Sequence, residues 1–210
     1  MNKQIQLFLL IIITTNAQTV IDVDLYRIAE DIVDGPEAIA FDGEGKMYTA
    51  NEDGRIIVLP RDGTDPYDFA QTEGRPLGLK FDLQGNLIVA DAYEGLLSID
   101  TTGEITILST ECDSLPFLLT DDLDISSDGI IYFSDASSVN NLENNGDDWG
   151  EPNGRLLAYD PQTNETSLLL DGLYFANGVA LAPDESYVLV NESSLGRVRR
   201  YWLAGPNTGE

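Results

Sequence analysis

The sequence predicts an all-β fold, a β-propeller of which about four blades are present in 210 residues. Three observations favour it: a repeat of about 40 residues, two short apolar strands around a turn in each copy, and no capped helical period beyond the N-terminal segment. A blade buries its faces only against neighbouring blades, so equivalent strands recur at a shared phase. A β-sandwich is the competing all-β fold, but it would not explain that phase.

One apolar residue anchors each copy of the repeat. The anchors are Phe41, Phe81, Ile125 and Leu181, at spacings of 40, 44 and 56 residues. Each is followed by a turn carrying Asp and usually Gly, and then by a second apolar strand, which is a hairpin signature. Third strands are expected at 55–59, 95–99, 155–159 and 197–202, and fourth strands at 104–108 and 166–170. The blades are therefore expected near residues 35–70, 74–112, 118–172 and 173–210, in a partial propeller domain of residues 18–210.

The third repeat is longer because it contains a polar insertion at residues 140–149. We predict a solvated loop on one rim of the propeller, with a lid as the alternative. The nearby turn at 124–129 partly resembles an EF-hand calcium loop. A strand pattern follows it and no flanking helices are predicted, so we reject that interpretation.

Residues 1–17 have the composition of a signal peptide. Lys3 gives a positive start, residues 7–13 are an unbroken apolar run, and small residues lead to a cleavage point after Ala17. An uncleaved N-terminal membrane anchor is the alternative; with cleavage, no membrane association is expected. The folded part is expected in an exported compartment: secreted, periplasmic, or in the lumen of the ER or a vacuole. Asn164 and Asn191 begin glycosylation sequons, which have meaning only in a eukaryotic host.

The composition excludes several classes of chemistry. Histidine is absent, which excludes Ser-His-Asp and Cys-His catalysis and histidine-ligated metal sites. The single cysteine, Cys112, cannot form an internal disulfide or a thiolate metal cage. With 11 basic and 37 acidic residues, the net charge of −26 argues against nucleic acid as a partner. Any chemistry must use carboxylates, amides, hydroxyls or a cation that they hold.

One position of the repeat points to a metal. Four residues before the anchors lie Glu37, Leu77, Asp121 and Asn177, at the start of each innermost strand. In a propeller these positions approach the axis at one mouth of the channel. Three of these four residues have a carboxylate or amide oxygen in the side chain, and oxygen is the ligand atom that Ca²⁺ prefers. We therefore predict Glu37, Asp121 and Asn177 as metal ligands; chance is the alternative, because acidic residues are abundant.

Several motifs make the sequence similar to a known family. They are GPE at 35–37, GRPLG at 74–78, ADAYEGL at 90–96, TDDLDI at 120–125, FANGVA at 175–180 and RRYWLAGP at 199–206. As a set they resemble the strictosidine synthase-like family, from about residue 34 to the end. The resemblance implies a six-bladed propeller of the calcium-dependent phosphotriesterase-like type, related to the gluconolactonase/senescence-marker and paraoxonase families.

The resemblance also bears on the metal ligands. In the calcium-dependent relatives a glutamate of the first blade and asparagine and aspartate side chains of later blades hold the ion, and Glu37 and Asn177 match such positions. Asp121 stands where the family motif usually has asparagine, which keeps an oxygen but adds charge. About two blades would lie beyond Glu210, including the glutamate credited with acid–base work in strictosidine synthase. The chain is therefore expected to be C-terminally truncated, with little or no activity alone.

Three functions stay open at this point. The first is a calcium-assisted hydrolase of lactones or aryl esters, in which the cation polarises the carbonyl and a carboxylate activates water. Asp122, Asp91 and Asp135 are weaker catalytic candidates lining the channel, with solvated or turn roles as the alternative. The second is an enzyme that condenses an amine with an aldehyde, and the third is a non-catalytic binding propeller. A small-molecule substrate is expected for either enzyme.

Overall fold

A computed structural model describes residues 32–62, 65–143 and 149–210. The predicted signal peptide, residues 1–17, lies outside the described residues. Blade 1 contains β1 (Ile39–Phe41), β2 (Met47–Ala50), β3 (Arg55–Leu59) and β4 (Tyr67–Gln71). Blade 2 contains β5 (Pro76–Phe81), β6 (Leu87–Asp91), β7 (Gly95–Ile99) and β8 (Ile105–Ser109). A short hairpin follows, β9 (Glu111–Cys112) with β10 (Leu115–Pro116).

The second half of the chain repeats the pattern. Blade 3 contains β11 (Thr120–Ile125), β12 (Ile131–Asp135), β13 (Gly154–Asp160) and β14 (Glu165–Leu173). Blade 4 contains β15 (Ala176–Leu181), β16 (Tyr187–Glu192) and β17 (Arg197–Trp202), with a 3₁₀ turn at Ser193–Leu195. Within the described ranges, no helix is long and apolar enough to cross a membrane.

The arrangement of the sheets is that of a propeller. Every blade is an antiparallel meander with its strands in chain order. The first strands of successive blades lie side by side, β1 beside β5, β5 beside β11 and β11 beside β15. These are the innermost strands around one axis, and each ends at its anchor residue. The prediction of an all-β propeller with about four blades is confirmed.

The turn after each innermost strand explains the Asp and Gly of the repeat. The Asp42 Oδ1 atom accepts hydrogen bonds from the backbone N–H groups of Glu44 and Lys46, both at 2.9 Å. Gly45 then adopts a φ of +81°, a conformation that costs glycine little and other residues more. The aspartate closes the turn and the glycine lets the chain reverse, so the hairpin forms locally.

Each pair of neighbouring blades encloses one apolar cluster. In β6, Leu87 and Val89 face blade 1, whereas Ile88 and Ala90 face blade 3. Successive side chains of a strand point to opposite faces, so a strand buried on both faces is a continuous apolar run. Burying one large aliphatic side chain contributes about 1.5–3 kcal/mol. The contact between blades therefore stabilises the arc and fixes the innermost strands that carry the site.

Candidate functional site

Asp121 and Asn177 meet at one mouth of the channel, although 56 residues separate them. The Asn177 Nδ2 atom donates to the Asp121 Oδ2 atom at 3.4 Å, and the Asn177 Oδ1 atom accepts from the Gly178 N–H at 2.9 Å. Both residues lie where the ladder register shifts, between Thr120 and Leu123 in β11 and between Ala176 and Val179 in β15. Such bulges turn a side chain out of the alternating pattern. The bulges thus direct these two polar groups away from the blade interfaces and toward each other.

Glu37 belongs to the same mouth but is more open to solvent. It precedes β1, and 61% of its side-chain surface is exposed. Its Oε1 atom lies 3.8 Å from the Arg75 Nη2 atom, and its negative charge acts on Asp121. The fourth phased residue, Leu77, is buried and apolar. The structure therefore brings Asp121 and Asn177 into contact, whereas the link from Glu37 to Asp121 is through its charge.

The electrostatics of the mouth favour a positive partner for Asp121. Burial raises the pKa of Asp121 from 3.8 to about 7, with further contributions from the charges of Asp122 and Glu37. A carboxyl group with this pKa is divided between its two forms near neutral pH. A cation at this position would offset both the burial and the like charges.

Arg75 is a functional candidate that the sequence interpretation missed. It is 7% exposed, and its Nη2 atom donates to the Gly35 carbonyl oxygen at 2.6 Å. Its buried Nη1 atom has no hydrogen-bond partner in the described part of the chain. A buried donor without an acceptor is costly, so this atom is suited to receive an oxygen from a ligand or water. The sequence offered one indication of this role: Arg75 lies two residues before Leu77, the repeat position that carries the candidate ligands in the other blades.

Asp91 and Asp135 do not join this group, because both are fully buried and bonded to backbone. Asp91 accepts from the Arg75 N–H at 2.9 Å, and Asp135 accepts from the Leu119 N–H at 3.0 Å. Burial raises the pKa of Asp135, while its ion pair with Arg155, at 2.6 Å, acts in the opposite direction. Each carboxylate ties the end of the second strand of its blade to the start of the first. These contacts give both residues an architectural role.

The other blades use the same tie with different side chains. The equivalent acceptors are Asn51 for the Asp34 N–H and Glu192 for the Tyr174 N–H. A side-chain oxygen therefore holds the start of the innermost strand in all four blades. This fixes the backbone on which Glu37, Asp121 and Asn177 stand.

Asp122 lies on the channel side, beside a cavity of about 400 Å³. Its Oδ2 atom accepts from the Val179 N–H at 2.8 Å, and burial raises its pKa. The innermost strands of all four blades line the cavity, through residues 39–41, 79–81, 122–124 and 179. Lys80 and Asp124 pair within it. The cavity therefore lies among the innermost strands, and its described lining does not include Glu37, Asp121 or Asn177.

Two residues at the described ends of the polar insertion, Leu142 and Trp149, form an apolar wall with Phe175 near the mouth. Trp149 packs edge-on against Phe175, with ring centroids 4.9 Å apart, and its carbonyl oxygen accepts from the Ser194 hydroxyl. Leu142, Trp149 and Phe175 pack on a buried cluster that includes Leu77. Among the described ends of the insertion, Leu142 and Trp149 are half-buried against the blades, whereas Glu143 is exposed; the predicted solvated loop stays a prediction.

The donor set fits a calcium ion. Two carboxylates and one amide are hard oxygen donors of the kind that Ca²⁺ takes. Among the described residues, no three acidic or cysteine side chains form a metal site by themselves, so this candidate donor set includes the amide of Asn177. That amide now presents its nitrogen to Asp121. A half-turn of the amide would present the oxygen instead.

Family comparisons agree with the fold. The profile of the family described as Strictosidine synthase matches residues 121–206, and that described as Strictosidine synthase-like, N-terminal, matches residues 23–59. Protein STRICTOSIDINE SYNTHASE-LIKE 3 of Arabidopsis thaliana is 38% identical over 214 residues, 84% of this chain and 52% of that protein. Adipocyte plasma membrane-associated protein of Salmo salar is 37% identical over 211 residues, 87% of this chain and 48% of that protein. The chain spans about half the length of these curated relatives.

Solved structures show the same architecture. A gluconolactonase of Xanthomonas campestris superposes with a TM-score of 0.70 at 17% identity, over 82% of this chain and 60% of that one. A putative gluconolactonase gives a TM-score of 0.71 at 18% identity, over 87% of this chain and 64% of that one. These similarities support the propeller fold. Both family profiles and the relatives at 37–38% identity show that the chain belongs to the strictosidine synthase-like family of β-propellers.

Proposed function

We propose that this chain carries the metal-binding part of a calcium-assisted hydrolase of lactones or aryl esters. The observation that carries the proposal is the contact between Asp121 and Asn177 at the channel mouth, where the Asp121 pKa is raised to about 7. The structural neighbours described as gluconolactonases are the reason for including lactones. The apolar wall of Trp149 and Phe175 beside the mouth favours an ester with an aromatic or alkyl group.

Each residue of the mouth has a proposed role. Glu37, Asp121 and Asn177 would hold the calcium ion, which supplies polarisation of a substrate carbonyl oxygen. The bound cation would keep the Asp121 carboxylate charged, because it would offset the burial and the like charges that raise its pKa in the calcium-free protein. Arg75 would bind an oxygen of the substrate and orient it through its Nη1 atom, which has no hydrogen-bond partner among the described residues.

The family name favours a second candidate, condensation of an amine with an aldehyde. That reaction needs a carboxylate that shuttles protons but no cation. The two candidates therefore differ in their dependence on calcium. Hydrolysis of phenyl acetate and gluconolactone, with calcium and with a chelator, separates them from each other and from a binding propeller.

The test pairs this assay with a charge-removing variant. Glu37→Gln should weaken calcium binding by on the order of 1–3 kcal/mol, as for loss of a charged partner. Glu44→Gln is the matched control, because Glu44 lies in the exposed β1–β2 turn of the same blade. Calcium-dependent hydrolysis that Glu37→Gln reduces supports the proposal. A rate of hydrolysis that neither the chelator nor Glu37→Gln changes contradicts it. Formation of a product from tryptamine and an aldehyde without calcium favours condensation.

A further inference from the structure

Two carboxylates of blade 3 bridge to blade 4 by accepting hydrogen bonds from its backbone. The Asp122 Oδ2 atom accepts from the Val179 N–H, and the Asp124 Oδ2 atom accepts from the Leu181 N–H, both at 2.8 Å. The acceptors are two residues apart on β11 and the donors are two residues apart on β15. β15 is the edge strand of its sheet, so these N–H groups point away from β16. Side chains thus replace the main-chain partner that an edge strand lacks.

The bridge is specific to this joint among the four described blades. The residues equivalent to Asp122 and Asp124 are Ala38 and Ala40 in blade 1, Gly78 and Lys80 in blade 2, and Gly178 and Ala180 in blade 4. None of these carries a carboxylate. At the joint between blades 2 and 3 the strands instead approach closely, because a Cβ atom on Gly78 would lie 2.8 Å from the Asp122 Cα atom. The Lys80 ammonium group also pairs with Asp124, so Asp124 contacts blades 2 and 4 at once.

The bridge adjoins the candidate metal ligands on both strands. Asp121 precedes Asp122 directly, and Asn177 lies two residues before Val179. A bulge interrupts the ladder beside each ligand, so the ladder alone does not fix their separation. The two bonds of the bridge hold β15 against β11 immediately below the mouth.

We propose that Asp122 and Asp124 form a carboxylate clasp, which sets the position of blade 4 against blade 3 and thereby the separation of Asp121 and Asn177. Both are positioning residues, since they act through the backbone of β15. The clasp itself rests on the hydrogen bonds. Its effect on calcium affinity rests in addition on the proposed function.

Asp124 is the residue to vary, because Asp122 adjoins a candidate ligand. Asp124→Ala removes all three bonds of the side chain, to the Leu181 N–H, the Lys80 ammonium group and the Ile125 N–H. Asp124→Asn keeps an oxygen that can accept from the Leu181 N–H. Asp82→Ala is the matched control. It removes a carboxylate that accepts two backbone N–H bonds, from Gln84 at 2.9 Å and Asn86 at 2.7 Å, but within blade 2 alone.

Two readouts in the calcium-free protein test the clasp. Amide hydrogen exchange at Leu181 should accelerate about tenfold in Asp124→Ala, remain near wild type in Asp124→Asn, and be unaffected in Asp82→Ala. The NMR signal of the Asn177 side-chain amide should move in Asp124→Ala and stay in place in Asp82→Ala. Unchanged exchange at Leu181 overturns the clasp. Faster exchange with an unmoved Asn177 signal overturns its positioning role.

Calorimetric titration with calcium, at a temperature where every variant is folded, supplies the third readout. Asp124→Ala should bind calcium about tenfold more weakly than wild type, and Asp124→Asn should recover most of that loss. Equal loss in Asp82→Ala would assign the effect to general destabilisation and contradict positioning. If wild type binds no calcium, the proposed function fails, and the exchange and NMR results still decide the clasp.

Discussion

Asp121→Asn should stabilise the calcium-free protein above neutral pH while weakening its calcium binding. The substitution keeps the shape of the side chain and removes the charge that burial, Asp122 and Glu37 make unfavourable. The pKa of Asp121 is about 7 in the native state, and its ordinary value is 3.8. Between pH 3.8 and about 7, the Asp121 carboxyl group is therefore protonated in the native state but ionised in the unfolded chain. Calcium-free wild type therefore loses stability as pH rises from about 4 to 7, by about 1.4 kcal/mol per pH unit.

The full effect is at most about 4 kcal/mol, reached above pH 7, and less to the extent that water screens this partly buried group. The variant has no proton to release, so its gain over wild type should grow from pH 4 to 7 and then level off. Urea unfolding of both proteins at several pH values, in the presence of a chelator, measures this difference. The contributions of the other titrating groups to the unfolding free energy are similar in the two proteins and largely cancel in the difference.

The control is Glu165→Gln, which removes a charge from an exposed position of β14. Its effect should be small and should not follow the same pH course. Saturating calcium should reverse the order, because a ligand that binds only the native state stabilises wild type in proportion to the logarithm of its concentration over Kd. A difference between Asp121→Asn and wild type that is flat across pH 4–8 would refute the reasoning.

Two further predictions concern the packing that holds the site. Arg155→Ala leaves the buried Asp135 carboxylate without its ion pair and should cost about 3–5 kcal/mol in unfolding free energy, measured by urea denaturation; a loss below about 1 kcal/mol would contradict this. Gly78→Ala places a Cβ atom 2.8 Å from the β11 backbone and should destabilise by about 1–3 kcal/mol, whereas Gly43→Ala, with nothing within 4 Å, should be nearly neutral. Equal melting temperatures for the two glycine variants would contradict this prediction, because they would show that blades 2 and 3 can move apart without a loss of unfolding free energy.

The third strand of each blade was predicted best. β3, β7 and β17 have the predicted bounds. β3 and β7 are buried apolar runs between turn residues, which give a strong local signal, whereas β17 is largely exposed and was predicted from its place in the repeat. β4 was not predicted. It is the outermost strand of blade 1, mixes polar and apolar residues, and is at most half-buried. An outer strand is specified by pairing with its neighbour, which leaves little mark on its own sequence.

The candidate site was predictable in position but not in detail. The repeat phase identified Glu37, Asp121 and Asn177, because equivalent residues of successive blades converge on one axis. The phase could not distinguish the acids of the sequence Asp121-Asp122-Leu123-Asp124, since a bulge breaks the alternation there. The buried state of Arg75 also has no local signal. It depends on the Gly35 carbonyl of another blade, 40 residues away.

The most direct test of the central claim is a crystal structure of the chain grown in millimolar calcium. We predict one ion at the channel mouth, bonded at about 2.3–2.6 Å to oxygens of Glu37, Asp121 and Asn177, with the Asn177 amide turned so that its oxygen faces the ion. An ion bound elsewhere, or side-chain oxygens of the three residues more than about 8 Å apart, would contradict the claim, because no single calcium ion could join them.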